Sequence, residues 1–227
     1  MTKVHILGLS GSPVLDGNCD KLVKLALQAA EEIEGVETEF ITLANKRIAV
    51  CQHCQYCMNN RTYCRIQDDA QPIWERIKAC DGIIIGAPTW LRTVAPPILM
   101  LFSRCRYQIF FGFDFRNKVA GALTVSWFGR GMDITTLEIM HIVSRFMMIP
   151  VAEGMAISSA VALGKRADYM EHGVLDDPTG VIQARNVGYR VAEITKMIKY
   201  STDAGVGVPP EYQVTTSGGT VKRKPKA

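Results

Sequence analysis

No stretch of this 227-residue chain approaches the roughly 20 consecutive apolar residues that a bilayer-spanning helix requires. The opening MTKVHILGLSGSP also lacks a charged segment leading into an apolar run and a small-residue cleavage site, and reads instead as a strand entering a turn. A cytoplasmic protein is therefore expected. Internal repeats are absent, and basic character is missing everywhere except at one end. The formal charge is +4, and Lys222, Arg223, Lys224 and Lys226 supply all of it within Ser217–Ala227, where no acid occurs. The rest of the chain is neutral overall, which argues against a general nucleic-acid-binding surface. A KRKPK sequence has the charge to touch nucleic acid or acidic lipid, but its setting reads more simply as a solvated end, a flexible basic tail over 201–227. The expectation is a protein that engages neither nucleic acid nor membrane.

Cysteine, by contrast, is plentiful and unevenly placed. Of seven cysteines, Cys51, Cys54, Cys57 and Cys64 fall within one short segment, in the spacing C-x2-C-x2-C-x6-C. In a cytosolic protein such crowding points to metal rather than to disulfides. Three thiolates at two-residue gaps can wrap one face of a small iron–sulfur cluster, with a fourth closing it from a short arc. Structural zinc ordinarily pairs two C-x2-C knuckles across a longer spacer, which is missing here; zinc on the same four residues stays the competing reading. Cys80 and Cys105 fall in helical pattern and read as buried small hydrophobes. His5 and His141 read as packed side chains.

The composition is that of one well-buried soluble domain, 48% apolar and 21% charged. Lys3–Leu9 is a nearly continuous apolar run, as in a strand buried on both faces. A helix opens at Asn18 or Cys19 and continues to about Ile33, with Leu22, Leu25, Ala26, Ala29 and Ile33 on one face. Val36–Leu43 alternates as a second strand. After the cysteine-rich loop at 47–66, Asp68 and Asp69 open a helix ending near Cys80. Gly82–Ala87 (GIIIGA) is a strand, Pro96–Tyr107 a helix, Lys118–Ser126 a strand, Asp133–Met147 a helix, Val151–Ile157 a strand and Val181–Tyr200 the last helix. Strand and helix alternate five times, with crossovers suited to right-handed parallel connections. Ser158–Gly180 reads as an insertion.

The loop after the first strand, Ser10-Gly11-Ser12-Pro13-Val14-Leu15-Asp16-Gly17-Asn18-Cys19, lacks both the Lys-Ser/Thr ending of a P-loop and the G-x-G-x-x-G spacing of dinucleotide folds. It offers hydroxyls, small residues and a helix N-terminus, which suit a phosphate monoester held by neutral donors and the helix dipole. Read without a ligand, the same residues make an ordinary turn capped by Asn18.

G-S-P-x-x-x-G-N-C in this loop resembles the phosphate loop of the NADPH-dependent FMN reductase branch of flavodoxin-like proteins. Gly86-Ala87-Pro88-Thr89-Trp90 is similar to that branch's second flavin loop, and Ser126-Trp127-Phe128-Gly129-Arg130-Gly131 sits where its third, glycine-containing loop belongs. The four-cysteine motif between second strand and second helix is similar to that of the archaeal and bacterial iron–sulfur flavoproteins. The resemblance implies a flavodoxin-like, doubly wound α/β fold over 1–200, with a five-stranded parallel sheet of order 2-1-3-4-5 and helices on both faces. It implies FMN phosphate and ribityl contacts from Ser10, Ser12, Asn18 and Cys19. Isoalloxazine contacts are implied for Pro88, Thr89, Trp90 and Leu91, and for Ser126, Trp127 and Gly129. Cys51, Cys54, Cys57 and Cys64 are implied ligands of a [4Fe–4S] cluster. The third loop departs from the pattern in having fewer glycines and the bulky pair Trp127-Phe128.

No proton-transfer dyad or nucleophile–base pair stands out. Arg92, Arg104, Arg106 and Arg130 are cations able to favour reduced, anionic flavin or to meet a charged partner. The expected activity is electron transfer from a ferredoxin-like donor into two-electron flavin chemistry, in a homo-oligomer (dimer or tetramer) that brings cluster and flavin of different subunits together. Two alternatives are an NAD(P)H-dependent FMN or quinone reductase whose cysteines hold zinc or nothing, and a non-enzymatic redox sensor.

Overall fold

The structure, a computed structural model, describes residues 3–159 and 172–206. Five parallel strands form its centre: β1 (Val4–Ser10), β2 (Val36–Thr42), β3 (Gly82–Trp90), β5 (Val119–Ser126) and β6 (Ile149–Ile157), with a two-residue β4 (Thr93–Val94) folded back antiparallel on β3. Their order is β2-β1-β3-β5-β6, which, counting only the parallel strands, is the expected 2-1-3-4-5. Helices α1 (Asn18–Glu31) and α6 (Pro178–Asp203) cover one face; α3 (Ala70–Ala79), α4 (Pro96–Ser103) and α5 (Met132–Arg145) cover the other.

The two-residue period of a strand divides the core between these layers. On β3, Ile84 joins Ile6, Val23 and Val191 beneath α1 and α6, while Ile83 and Ile85 join Trp74, Ile98 and Ile139 beneath α3, α4 and α5. Gly188 of α6 lies so close to α1 that a methyl group there would stand 2.1 Å from the Ala26 carbonyl oxygen, so the close helix crossing depends on glycine at that position.

Element boundaries differ from the sequence expectation in informative places. β6 begins at Ile149 rather than Val151 because its Pro150 sits at a sheet edge beside a register shift, where a missing N–H is tolerated. The helix expected to reach Tyr107 ends at Ser103, and the chain passes through a single π-helical turn, Gln108–Gly112, to a left-handed Phe113. The end of the expected 158–180 insertion is ordered structure: a 3-10 turn, Gly173–Asp176, then the start of α6. Asp177 caps that helix, its Oδ1 accepting from the Thr179 and Gly180 N–H groups at 3.1 Å each, with Pro178 at the first helical position. Residues 160–171 of the insertion and 207–227 of the expected tail lie outside the described residues, and α6 continues three residues beyond Tyr200. Within the described residues, no helix is long and apolar enough to cross a membrane.

Candidate functional site

A cleft of about 1080 Å³ opens at the carboxyl ends of β1, β3 and β5, beside the point where the strand order reverses. In doubly wound sheets this crevice is where ligands bind. The loops after these three strands form its walls, and every FMN-contact residue expected from sequence lines it except Ser10 and Gly129. Ser10 is wholly buried beneath the first loop, where its Oγ accepts weakly from the Ser12 N–H at 3.5 Å. Ser12 folds the loop on itself, its Oγ accepting from the Val14 N–H at 3.1 Å. Behind Gly17, α1 begins with no side chain capping its first turn, leaving N–H donors and the positive helix end at the cleft.

Asn18 and Cys19 have structural partners. Asn18 Oδ1 accepts from the Val174 N–H at 3.1 Å, tying the 3-10 turn to the start of α1. Burial pushes the Cys19 thiol up to about 12 against an opposing hydrogen bond with Ser10, so it stays protonated at neutral pH.

The second wall is a tight hairpin. Trp90 pairs with Thr93, and the two turn residues Leu91 and Arg92 both adopt left-handed conformations, at φ of 49° and 65°. Such geometry is uncommon for residues with a Cβ, and it leaves Leu91 fully exposed at the cleft edge. Two anchors hold the hairpin. Thr89 Oγ1 lies 3.0 Å from Thr124 Oγ1 and 2.9 Å from Thr135 Oγ1. Glu138 of α5 accepts from Thr93 Oγ1 at 2.8 Å and from the Val94 N–H at 2.6 Å.

In the third wall, Ser126 Oγ accepts from the Gly129 N–H at 3.0 Å, and Gly129 turns the loop at a φ of 86°. Trp90 and Trp127 are 46% and 56% exposed, so neither is a core aromatic. With Val14, Leu15 and Phe128 they give the cleft an apolar, partly aromatic rim, of the kind that marks a ligand site. Arg92 and Arg130 also line it.

The four clustered cysteines line a second, small cavity of about 20 Å³, together with Arg104 and Arg106. Their loop winds through left-handed His53, Gln55 and Arg61 and includes one short helical turn, α2 (Tyr56–Asn59). Among the described residues no three His, Cys, Asp or Glu side chains converge tightly enough for a single metal ion. Burial raises the Cys57 thiol, Arg106 lowers it, and Cys64 and Cys51 raise it further, which places these four groups in one electrostatic neighbourhood. Arg104, wholly buried, donates to the Ala49 carbonyl at 3.2 Å, to the Ile66 carbonyl at 2.8 Å and to Asp68. Burial works against its charge, but Asp68 and then Cys64 hold its pKa above the ordinary value. Its Nε is buried without a hydrogen-bond partner among the described residues.

The expected set of four arginines thus splits into Arg92 and Arg130 at the cleft and Arg104 and Arg106 at the cysteines. Asp68, expected only to open a helix, is the ion-pair partner of Arg104. Cys80 and Cys105 are buried as expected, whereas His141 is exposed on α5 rather than packed. Phe128 and Arg130 stood within the third-loop motif and were legible there. Nothing local tied Arg104 to the cysteines, since it lies forty residues beyond Cys64, just after an apolar helix.

Residues 4–162 match the family model described as NADPH-dependent FMN reductase. The chain is 36% identical over 199 residues to an iron–sulfur flavoprotein of Methanocaldococcus jannaschii, covering 86% of this chain and 100% of that protein. It is 32% identical over 198 residues to an iron–sulfur flavoprotein of Archaeoglobus fulgidus, covering 86% and 98%. Among solved structures it resembles RosB with a bound intermediate, 8-demethyl-8-formylriboflavin-5'-phosphate, at a TM-score of 0.68 and 15% identity, covering 99% and 96% of the two chains; at that identity the likeness speaks for the fold. The chain belongs to the NADPH-dependent FMN reductase family, in its iron–sulfur flavoprotein group.

Proposed function

We propose that this protein is an FMN-dependent oxidoreductase in which Cys51, Cys54, Cys57 and Cys64 hold a [4Fe–4S] cluster that feeds electrons to the flavin. The observation that carries this reading is one chain bearing both a cofactor-sized cleft at the switch point and four cysteines on a single cavity. The two sites lie at opposite ends of α4. The hairpin before Pro96 walls the cleft, and Arg104, just after Ser103, walls the cysteine cavity. That helix has eight residues, a length of about 12 Å at 1.5 Å per residue.

Bound FMN takes up two electrons together or one at a time, and an iron–sulfur cluster passes one, so the pair couples one-electron carriers to two-electron chemistry. The chain's own part is binding and orientation. Ser12 and the uncapped N–H groups of α1 suit a phosphate. Pro88, Thr89, Trp90, Leu91, Ser126 and Trp127 suit a flat aromatic ring system, while Arg92 and Arg130 supply positive charge that favours a reduced, anionic flavin. Ser10, Asn18, Cys19 and Gly129 hold the shapes of the loops that make these contacts.

The cysteine donor set suits iron–sulfur chemistry. Four thiolates from one short segment, all lining one cavity, are the donor set that [4Fe–4S] ligation uses. Arg61, Arg65 and Arg106 beside the cysteines suit an acidic one-electron carrier of the ferredoxin type, and the family match favours NAD(P)H as the alternative donor. Leu91 and Leu99, exposed near α4, suit burial in a homo-oligomer that brings one subunit's cluster toward another's flavin.

Anaerobic purification followed by flavin, iron and acid-labile sulfide assays tests the reading. The expected result is one FMN with about four iron and four sulfide per chain. Zinc without sulfide would sink the cluster. Stopped-flow mixing with NADPH and with reduced ferredoxin then identifies the donor.

A further inference from the structure

The four cysteines sit on a loop whose two ends are gathered on one guanidinium. Ala49, two residues before Cys51, and Ile66, two residues after Cys64, both give their carbonyls to Arg104, at 3.2 and 2.8 Å. Asp68 closes the arrangement from the other side, its Oδ2 bonding Arg104 and accepting from the Ala49 N–H at 2.9 Å. Gln71 adds donors to the Cys64 and Ile66 carbonyls. Trp74 lies beneath the guanidinium, 5.3 Å from ring centre to Arg104 Cζ.

Four of the five guanidinium N–H groups sit on the two terminal nitrogens that serve Ala49, Ile66 and Asp68. The fifth, on Nε, is buried and has no hydrogen-bond partner among the described residues. A buried donor left unsatisfied is costly, and a chain that keeps arginine here needs an acceptor for it. Arg104 lines the cysteine cavity beside Cys64.

Building on the cluster assignment, we propose that Arg104 positions the iron–sulfur cluster and raises its reduction potential, clasping both ends of the cysteine loop and donating its Nε–H to a sulfur at the Cys64 corner. An N–H donor and a fixed positive charge beside a cluster stabilise its more negative, reduced form. Groups that hold a metal's ligands in place ordinarily change metal affinity 10- to 100-fold when removed. Because Arg104 directly follows α4, which begins beside the flavin hairpin, the clasp also ties the cysteine loop to the body of the fold.

The test uses the anaerobically reconstituted full-length protein. In wild type labelled with ¹⁵N-arginine, the reduced cluster should show hyperfine coupling to an arginine nitrogen. The coupling should persist in Arg106→Lys, which leaves Arg104 in place. Arg104→Gln and Arg104→Lys should keep FMN and far-UV circular dichroism unchanged. Both should lose iron to a chelator at least tenfold faster, and the Gln variant should shift its oxidised-to-reduced ratio at fixed poise roughly tenfold toward oxidised, a fall of about 59 mV for one electron. Absence of arginine coupling in wild type, or its loss in Arg106→Lys, overturns the proposal even if neither Arg104 variant folds. So does a folded Arg104→Gln protein with unchanged potential and iron retention. Wild type without iron and sulfide would instead overturn the cluster assignment on which the inference rests.

Discussion

Arg92 and Gly131 are in direct contact across the mouth of the cleft: a methyl group at position 131 would stand 2.7 Å from Arg92 Cα. Gly131 also has a φ of 77°, so the contact joins the second and third loops at a place only glycine fits. Gly131→Ala should cost about 1–2 kcal/mol for the left-handed backbone alone and push the loops apart. Its flavin-free melting temperature should fall by several degrees and its FMN affinity at least tenfold, as read by fluorescence titration. Unchanged affinity would show that the two loops do not bind the flavin together.

Trp90 is half exposed at the cleft edge, so it contributes little to the core. Trp90→Ala should leave the melting of the flavin-free protein within about 1 °C and weaken FMN binding roughly tenfold, the size of one lost aromatic contact. Destabilisation without loss of affinity would return Trp90 to a packing role.

The seven cysteines should separate by chemistry. With its thiol held up near 12, Cys19 is expected to resist iodoacetamide at pH 8, as is Cys80, also pushed up to about 12 by burial. Exposed Cys54 should be alkylated readily in metal-free protein, since the thiolate is the reactive form. Cys19→Ala should keep full iron and sulfide, whereas Cys57→Ser should lose most of both and keep FMN. Peptide mass spectrometry and metal assay read the two results.

Acid should loosen the cysteine loop through Asp68. Burial raises this carboxyl, but Arg104 and the Ala49 and Ala70 N–H groups lower it further, and the net displacement is downward. A carboxyl lowered on folding contributes stability above its unfolded value, about 3.9, and loses that contribution as pH falls through the lower folded value. Stability and iron retention should therefore be insensitive to this group from pH 5 to 8 and decline in stronger acid. Asp68→Asn should lack that acid step and be less stable at pH 7 by up to about 3 kcal/mol, because it leaves the buried Arg104 charge without its counterion. Thermal melts across pH on both proteins check the sign.

Much of the fold was legible because the physics that builds it is local. β1 and β3 are buried on both faces and so read as continuous apolar runs. Alternation of strand with amphipathic helix implied parallel crossovers, and hence the strand order. The start of α6 was also written in the chain, as Asp177 before Pro178, but read as insertion because nothing local shows that Asn18 and Ile157 hold that segment in place. The length of β3 was underestimated because Pro88 and Thr89 look like loop residues, and only pairing with β5 and β4 extends the strand through them.

At the site, sequence alone determined the cysteine spacing, the small hydroxyl-bearing first loop and the two aromatic loops, since each is a property of one short segment. Tertiary structure alone decided which cations serve which site. Arg92 and Arg104 are neighbours in sequence, yet α4 carries them to opposite ends of a helix, one to the flavin-type cleft and one to the cysteines. The partners that make Arg104 consequential, Ala49, Ile66 and Asp68, come from the far side of a strand and a helix, and no local pattern of residues encodes such a meeting.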